Sequence, residues 1–195
     1  MVEADDALRE KMRAEMHESY RTLLGHFRHE VGHYYGDILV RDGGAMQPFR
    51  AMFGDESLDY AQALQHHYRT GTPPDWPQRF VSSYATMHPW GDWAETWAHY
   101  LHMIDTLETA AAFGMQIAPE IDDDGEMSAD IDFDFDPYRM RSAQRLIAAW
   151  MPISVALNRS MGQPDSYRFT LPQPVQDKLG FVHQLVSAVR TGGTQ

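Results

Sequence analysis

The chain reads as mainly α, a single-domain helical array of about six helices. Three observations predict this. Apolar residues recur at three- and four-residue steps over long stretches, glycine and proline punctuate those stretches, and no segment reads as a strand. A length of 195 residues fits one domain with a sizeable core.

The first helix is expected over residues 7–40. Asp5 or Asp6 can cap its start, and Leu8, Met12, Met16, Tyr20, Leu23, Phe27, Val31, Tyr34 and Ile38 form an apolar stripe that should be buried. Gly25 could bend it, and Asp42-Gly43-Gly44 ends it. A second helix is expected over 57–68, stopped by Gly71-Thr72-Pro73-Pro74, and a third over 77–86. The fourth, over 92–113, has Pro89 before it and Gly114 after it. An acidic loop occupies 118–136. Asp136-Pro137 reads as the cap and first turn of a fifth helix reaching residue 161, which Pro152 should kink. The last helix is expected over 174–190, with 191–195 as a frayed tail.

The run His29-Glu30-Val31-Gly32-His33 lies inside the first helix. Two histidines four residues apart share a face and can hold one Zn²⁺, and the glutamate between them can reach a water on that ion. With 10 His and 10 Glu in the chain, chance would supply such a motif roughly 0.03 times, so context has to carry the rest. His26, His29, His33 and Asp37 form a stripe opposite Phe27 and Val31, where a solvated helix would carry Lys and Glu.

A catalytic zinc site wants three protein ligands and an open position. The third is sought in His88-Pro-Trp-Gly-Asp-Trp-Ala-Glu-Thr-Trp-Ala-His-Tyr-Leu-His102. Asp92, Glu95, His99 and His102 share one face of that helix, and Trp93, Trp97, Tyr100 and Ile104 share another. Glu95 is the first choice as ligand and His99 the second. Asp92 and His102 fit better as groups that orient ligands by hydrogen bonds. Gly32 and Gly36, beside the histidine face, read equally as a tight helix crossing or as room for substrate.

Sixteen basic against 28 acidic side chains give a formal charge of −12, a field that repels nucleic acid and anionic lipid. Nine of the acids fall in residues 120–136, which reads as a solvated loop. Asp122-Asp123-Asp124-Gly125 lacks EF-hand spacing. With no cysteine, any metal must be held by His, Asp or Glu. No apolar run approaches the roughly 20 residues of a membrane span, and the charged start lacks a signal-peptide core. A cytoplasmic protein is expected.

The blocks Arg28-His-Glu-Val-Gly-His-Tyr-Tyr35, Phe49-Arg-Ala-Met-Phe-Gly-Asp-Glu56, His88 to His102, Asp105-Thr-Leu-Glu-Thr-Ala110 and Leu157-Asn-Arg-Ser-Met-Gly162 resemble a bacterial zinc-binding metallopeptidase family. The likeness runs over about residues 20–186, and the tryptophan block is its most specific part. The wider comparison is with gluzincins, which bind zinc through two motif histidines and a glutamate on a later helix. That resemblance implies one Zn²⁺ on His29, His33 and Glu95, with Glu30 as general base and a peptide or protein as substrate. Many gluzincins brace a zinc histidine with an aspartate four residues after the ligand. His99 stands there in this chain, so Asp37 is an alternative brace. Gluzincins usually carry a β-sheet before the motif helix, and none is expected here. Members of the resembled family often begin with a cysteine-containing zinc ribbon, so a catalytic-domain fragment or a naturally short member is expected here.

In the expected mechanism zinc lowers the pKa of a bound water toward about 7, and Glu30 moves its proton to the leaving amine. Tyr34, Tyr35, Tyr100 and His88 are candidate donors to the oxyanion. The competing expectation is a zinc-stabilised, catalytically inactive binding or scaffolding module. A metal-free helical interaction protein ranks last.

Overall fold

The computed structural model describes residues 22–117, 129–130, 138, 143–162 and 171–192. Among them the chain forms six α-helices: α1 Leu23–Tyr35, α2 Met46–Phe53, α3 Tyr60–Thr70, α4 Pro89–Ala112, α5 Ala143–Ser160 and α6 Gln173–Gly192. The mainly α fold is therefore as expected. One small addition is an antiparallel pair, β1 Gln116–Ile117 with β2 Ala129–Asp130, in register Gln116 to Asp130. It ties together residues on either side of part of the acidic segment.

The chain divides into two compact units, Met1–His99 with Pro172–Leu179, and Tyr100–Leu171 with Gly180–Gln195. In the first unit, α1 starts where the Thr22 hydroxyl accepts a hydrogen bond from the Gly25 N–H at 2.9 Å. The helix passes into a π-helical turn at Gly36–Arg41, which ends the predicted 7–40 helix. Residues 7–21 of that prediction lie outside the described residues.

The expected burial of α1 is reversed. Leu23, Phe27, Tyr34 and Ile38, read as a buried stripe, are exposed, whereas Gly25, Arg28, His29 and Gly32 are buried. The reason is shape. A Cβ at Gly32 would lie 3.1 Å from the Ala94 Cα, and one at Gly36 would lie 2.9 Å from the Trp93 Nε1. Glycine lets the α4 backbone approach at Gly32 and the Trp90 and Trp93 rings approach at Gly36, and the Trp93 indole N–H donates to the Gly32 carbonyl at 2.8 Å. Tight crossing, rather than room for substrate, is what these glycines supply.

Helix α2 has no counterpart in the sequence reading. Pro48 falls in its first turn, where the missing N–H needs no partner. Phe49 and Phe53 stack at 4.8 Å, and Phe49 lies 4.6 Å from Trp90, which seats α2 against the start of α4. Helix α3 is capped by Asp59 and ends at Gly71, whose φ of 74° suits glycine. The predicted 77–86 helix is instead two 3₁₀ turns, Trp76–Gln78 and Tyr84–Thr86. Between them the Ser82 hydroxyl accepts from the Ala85 N–H at 3.2 Å, a local bond that competes with continuous helix.

Lys178 of α6 closes this unit. Its ammonium donates to Asp92 Oδ2 at 2.6 Å and to the Arg79 carbonyl at 2.9 Å, and sits 4.2 Å from the centre of the Phe80 ring.

The second unit holds the later part of α4, the β1–β2 pair, α5 and the end of α6. Met103, Ile104, Leu107, Leu146, Trp150 and Val182 are fully or almost fully buried in it. Helix α5 continues through Pro152. The residues expected as the cap and first turn of this helix, 136 and 137, lie outside the described residues.

Candidate functional site

The α1–α4 crossing determines what meets at its edge. His29 lies one turn before Gly32 on α1, and Glu95 follows Ala94 on α4. Across 66 residues of sequence, His29 Nδ1 comes to 2.6 Å from Glu95 Oε1. One turn along α1, His33 Nε2 lies 3.1 Å from His29 Nε2. The Ser82 hydroxyl donates to the other Glu95 oxygen, Oε2, at 2.6 Å.

The protons in this chain have a direction. A carboxylate only accepts, so the His29 Nδ1–H donates to Glu95. His29 Nε2 and His33 Nε2 face each other, one donating and the other accepting according to tautomer. Burial alone would raise the Glu95 carboxyl. The His29 hydrogen bond and charge, His99 and the Ser82 hydroxyl outweigh it and hold the group well below the ordinary carboxylate range. Burial, followed by the neighbouring His29, lowers His33. At neutral pH His33 is therefore neutral and the Glu95 carboxylate is ionised.

His99, one turn beyond Glu95, is buried, and desolvation takes it down to about 4 although Glu95 pulls the other way. Glu30 is largely exposed; its carboxylate lies 3.8 Å from His26 Nε2 and within electrostatic reach of His33. Asp37 is also exposed and pairs with Arg41 at 2.7 Å, while the contact to His29 is made by Glu95. Asp92 is taken up by Lys178. His102 packs edge-on against Trp150 in the second unit at 5.8 Å.

Of the four expected oxyanion donors, three have other contacts and Tyr34 is exposed. The Tyr100 hydroxyl bonds to His183 Nδ1 at 3.0 Å in the second unit. His88 Nε2–H donates to the Leu58 carbonyl at 3.0 Å, and its Nδ1 accepts from the Trp90 N–H at 3.1 Å, so both nitrogens are committed. Tyr35 stacks on Trp97 at 4.8 Å, and Tyr34 is exposed. Two unanticipated tyrosines are nearer. Tyr84 sits 5.6 Å from the His29 ring and Tyr60 sits 6.5 Å from the His33 ring, measured between centroids. Burial and a hydrogen bond with Tyr60 raise the Tyr84 phenol, so it stays protonated. Neither tyrosine, nor Ser82, stands at a spacing that marks it in the sequence.

Do these residues suit a metal? In type they do: two imidazoles and a carboxylate are a zinc-competent donor set. The facing Nε2 atoms are 3.1 Å apart, close to the ~3.3 Å expected between two ligands of a tetrahedral zinc. In the present rotamers, however, the donors bond to one another. His29 offers opposite ring nitrogens to His33 and Glu95, and no group of three His, Asp or Glu side chains among the described residues converges on one point. Convergence requires the His29 ring or the Glu95 carboxylate to turn.

A helical crossing with two motif histidines against a glutamate on a later helix defines the class of protein to compare. Residues 1–185 match the family described as "Putative zinc-binding metallo-peptidase", and the chain belongs to that family. It is 47% identical over 193 residues to an uncharacterized protein of Mycobacterium bovis and to uncharacterized proteins of two strains of Mycobacterium tuberculosis. Each match covers 97% of this chain and 53% of the relative, so the chain spans about half the length of the curated relatives it matches. No solved structure matches it. No helix among the described residues is long and apolar enough to cross a membrane.

Proposed function

We propose that this chain is a zinc-dependent metallopeptidase domain that hydrolyses peptide bonds, with His29, His33 and Glu95 as the ligands of one ion and Glu30 as general base. The observation that carries it is the contact of His29 with both Glu95 and His33 at the glycine-lined crossing. Zinc, when bound, would acidify a water and polarise the scissile carbonyl. The remaining work falls to side chains. Glu30, on the same helix and open to solvent, takes the proton of the attacking water and hands it to the leaving amine. Tyr84, which stays protonated, and Tyr60 pack beside the imidazoles and are hydroxyls able to donate to a developing oxyanion.

Glu30→Gln tests the reading, because it keeps size and helix but removes the base. Zinc content should be unchanged while cleavage of a peptide panel falls at least a thousandfold; unchanged cleavage would rule Glu30 out. One observation supports a second reading, a zinc-stabilised module without activity. Among the described residues of the first unit there is no strand for an extended substrate to join. That reading predicts a large fall in melting temperature on chelation and no cleavage by the unmodified chain.

A further inference from the structure

Ser82 is the residue of the cluster that neither the motif nor the family description includes. Its side chain is buried, and its two bonds have fixed directions. The oxygen accepts the Ala85 N–H at 3.2 Å, so its single proton is aimed at Glu95 Oε2, 2.6 Å away. One carboxylate oxygen is thereby occupied, and the other, Oε1, faces His29.

The loop that carries Ser82 is itself clamped. Lys178 donates to the Arg79 carbonyl three residues before Ser82, and to Asp92 three residues before Glu95. Its ammonium also lies over the Phe80 ring at 4.2 Å. Both sides of the Ser82–Glu95 contact are thus held by one buried cation. A hydroxyl fixed at both ends is a means of holding a carboxylate in one rotamer before any metal arrives.

We propose that Ser82 is a positioning residue for the metal centre: its hydroxyl holds the Glu95 carboxylate in a single orientation, with one oxygen presented to His29. This rests on the zinc reading for its use, but the positioning itself exists in the metal-free protein and is measurable there.

The test compares Ser82→Ala and Ser82→Thr with the unmodified chain in two arms. In metal-free protein, ¹⁵N-edited spectra should show a slowly exchanging His29 Nδ1 proton in the unmodified chain and in Ser82→Thr, but not in Ser82→Ala. In chelator-competition titrations with Zn²⁺, Ser82→Ala should bind 10–100-fold more weakly, and Ser82→Thr should recover most of that loss. Melting of the metal-free variants reports the lost Ala85 cap separately. A lower melting temperature for Ser82→Ala with the His29 proton and zinc affinity both unchanged would leave Ser82 a turn-capping residue and overturn the proposal. Absence of zinc binding by the unmodified chain would instead remove the zinc reading, and the His29 proton would still decide the role of Ser82.

Discussion

His29 Nδ1 and Glu95 Oε1 stand 2.6 Å apart, joined across the crossing of α1 and α4. The pair has few ways to form. Glu95 is ionised because His29, His99 and Ser82 outweigh its burial, and α1 reaches α4 only on its glycine face. Stability and site geometry therefore depend on the same contact surface.

The glycine face is the first place to test that link. Gly32→Ala gains about 1 kcal/mol of helix propensity, but its Cβ meets the Ala94 backbone and Trp97 at 3.1 Å. Overpacking of this kind costs about 1–3 kcal/mol. The expected result in urea unfolding is net destabilisation together with weaker zinc binding. A variant more stable than the unmodified chain would show that the crossing is looser than described.

Glu95→Gln removes the charge and keeps the shape. Zinc affinity should fall by more than the roughly 10–100-fold typical of an outer supporting group, while the metal-free fold persists. Affinity within threefold of the unmodified chain, by competition titration, would exclude Glu95 as a ligand and leave it as a brace on His29.

Lys178→Met should be among the most damaging substitutions outside the cluster. Asp92 is almost fully buried, burial pushes its carboxyl up, and Lys178 is what offsets this. Removing one member of a buried pair costs about 3–5 kcal/mol. Denaturant titration should show such a loss for the single variant and partial recovery in Asp92→Asn with Lys178→Met. A loss under about 1 kcal/mol would mean that the ammonium is not needed to hold Asp92.

His99 predicts a pH dependence. Burial lowers it from 6.5 to about 4, so the folded protein favours neutral imidazole. The unfolded chain binds more protons between those two values, and the His99 contribution is complete above 6.5 and lost as pH falls toward 4. At about 1.4 kcal/mol per pH unit the contribution is at most about 3 kcal/mol. Asp92, raised by burial to about 7, has the opposite sign over this whole range, so the informative quantity is a difference. Stability of chelated His99→Gln should fall less steeply with acid than that of the chelated unmodified chain. Parallel curves would contradict the buried neutral state.

Much of this arrangement was legible in the sequence, and the reasons differ by residue. Glu95 stood out because Trp93 and Trp97 supply a helical period against which its polar face can be read. Gly32 and Gly36 signalled a close approach because helix interiors disfavour glycine. Which face of α1 is buried was misread, since apolarity pointed to Phe27 and Tyr34 while shape selected the glycines. Tyr60, the Ser82–Tyr84 turn and Lys178 come from separate segments whose approach depends on loops and turns. No local period marks them, and only the folded chain brings them together.

The central claim is that one ion is held between α1 and α4. Anomalous scattering at the zinc edge from crystals of the zinc-loaded chain tests it most directly. The account predicts one peak about 2.0–2.2 Å from an imidazole nitrogen of His29, one of His33 and a carboxylate oxygen of Glu95. A peak on any other set of side chains, or crystals of zinc-soaked protein with no stoichiometric peak, would contradict it.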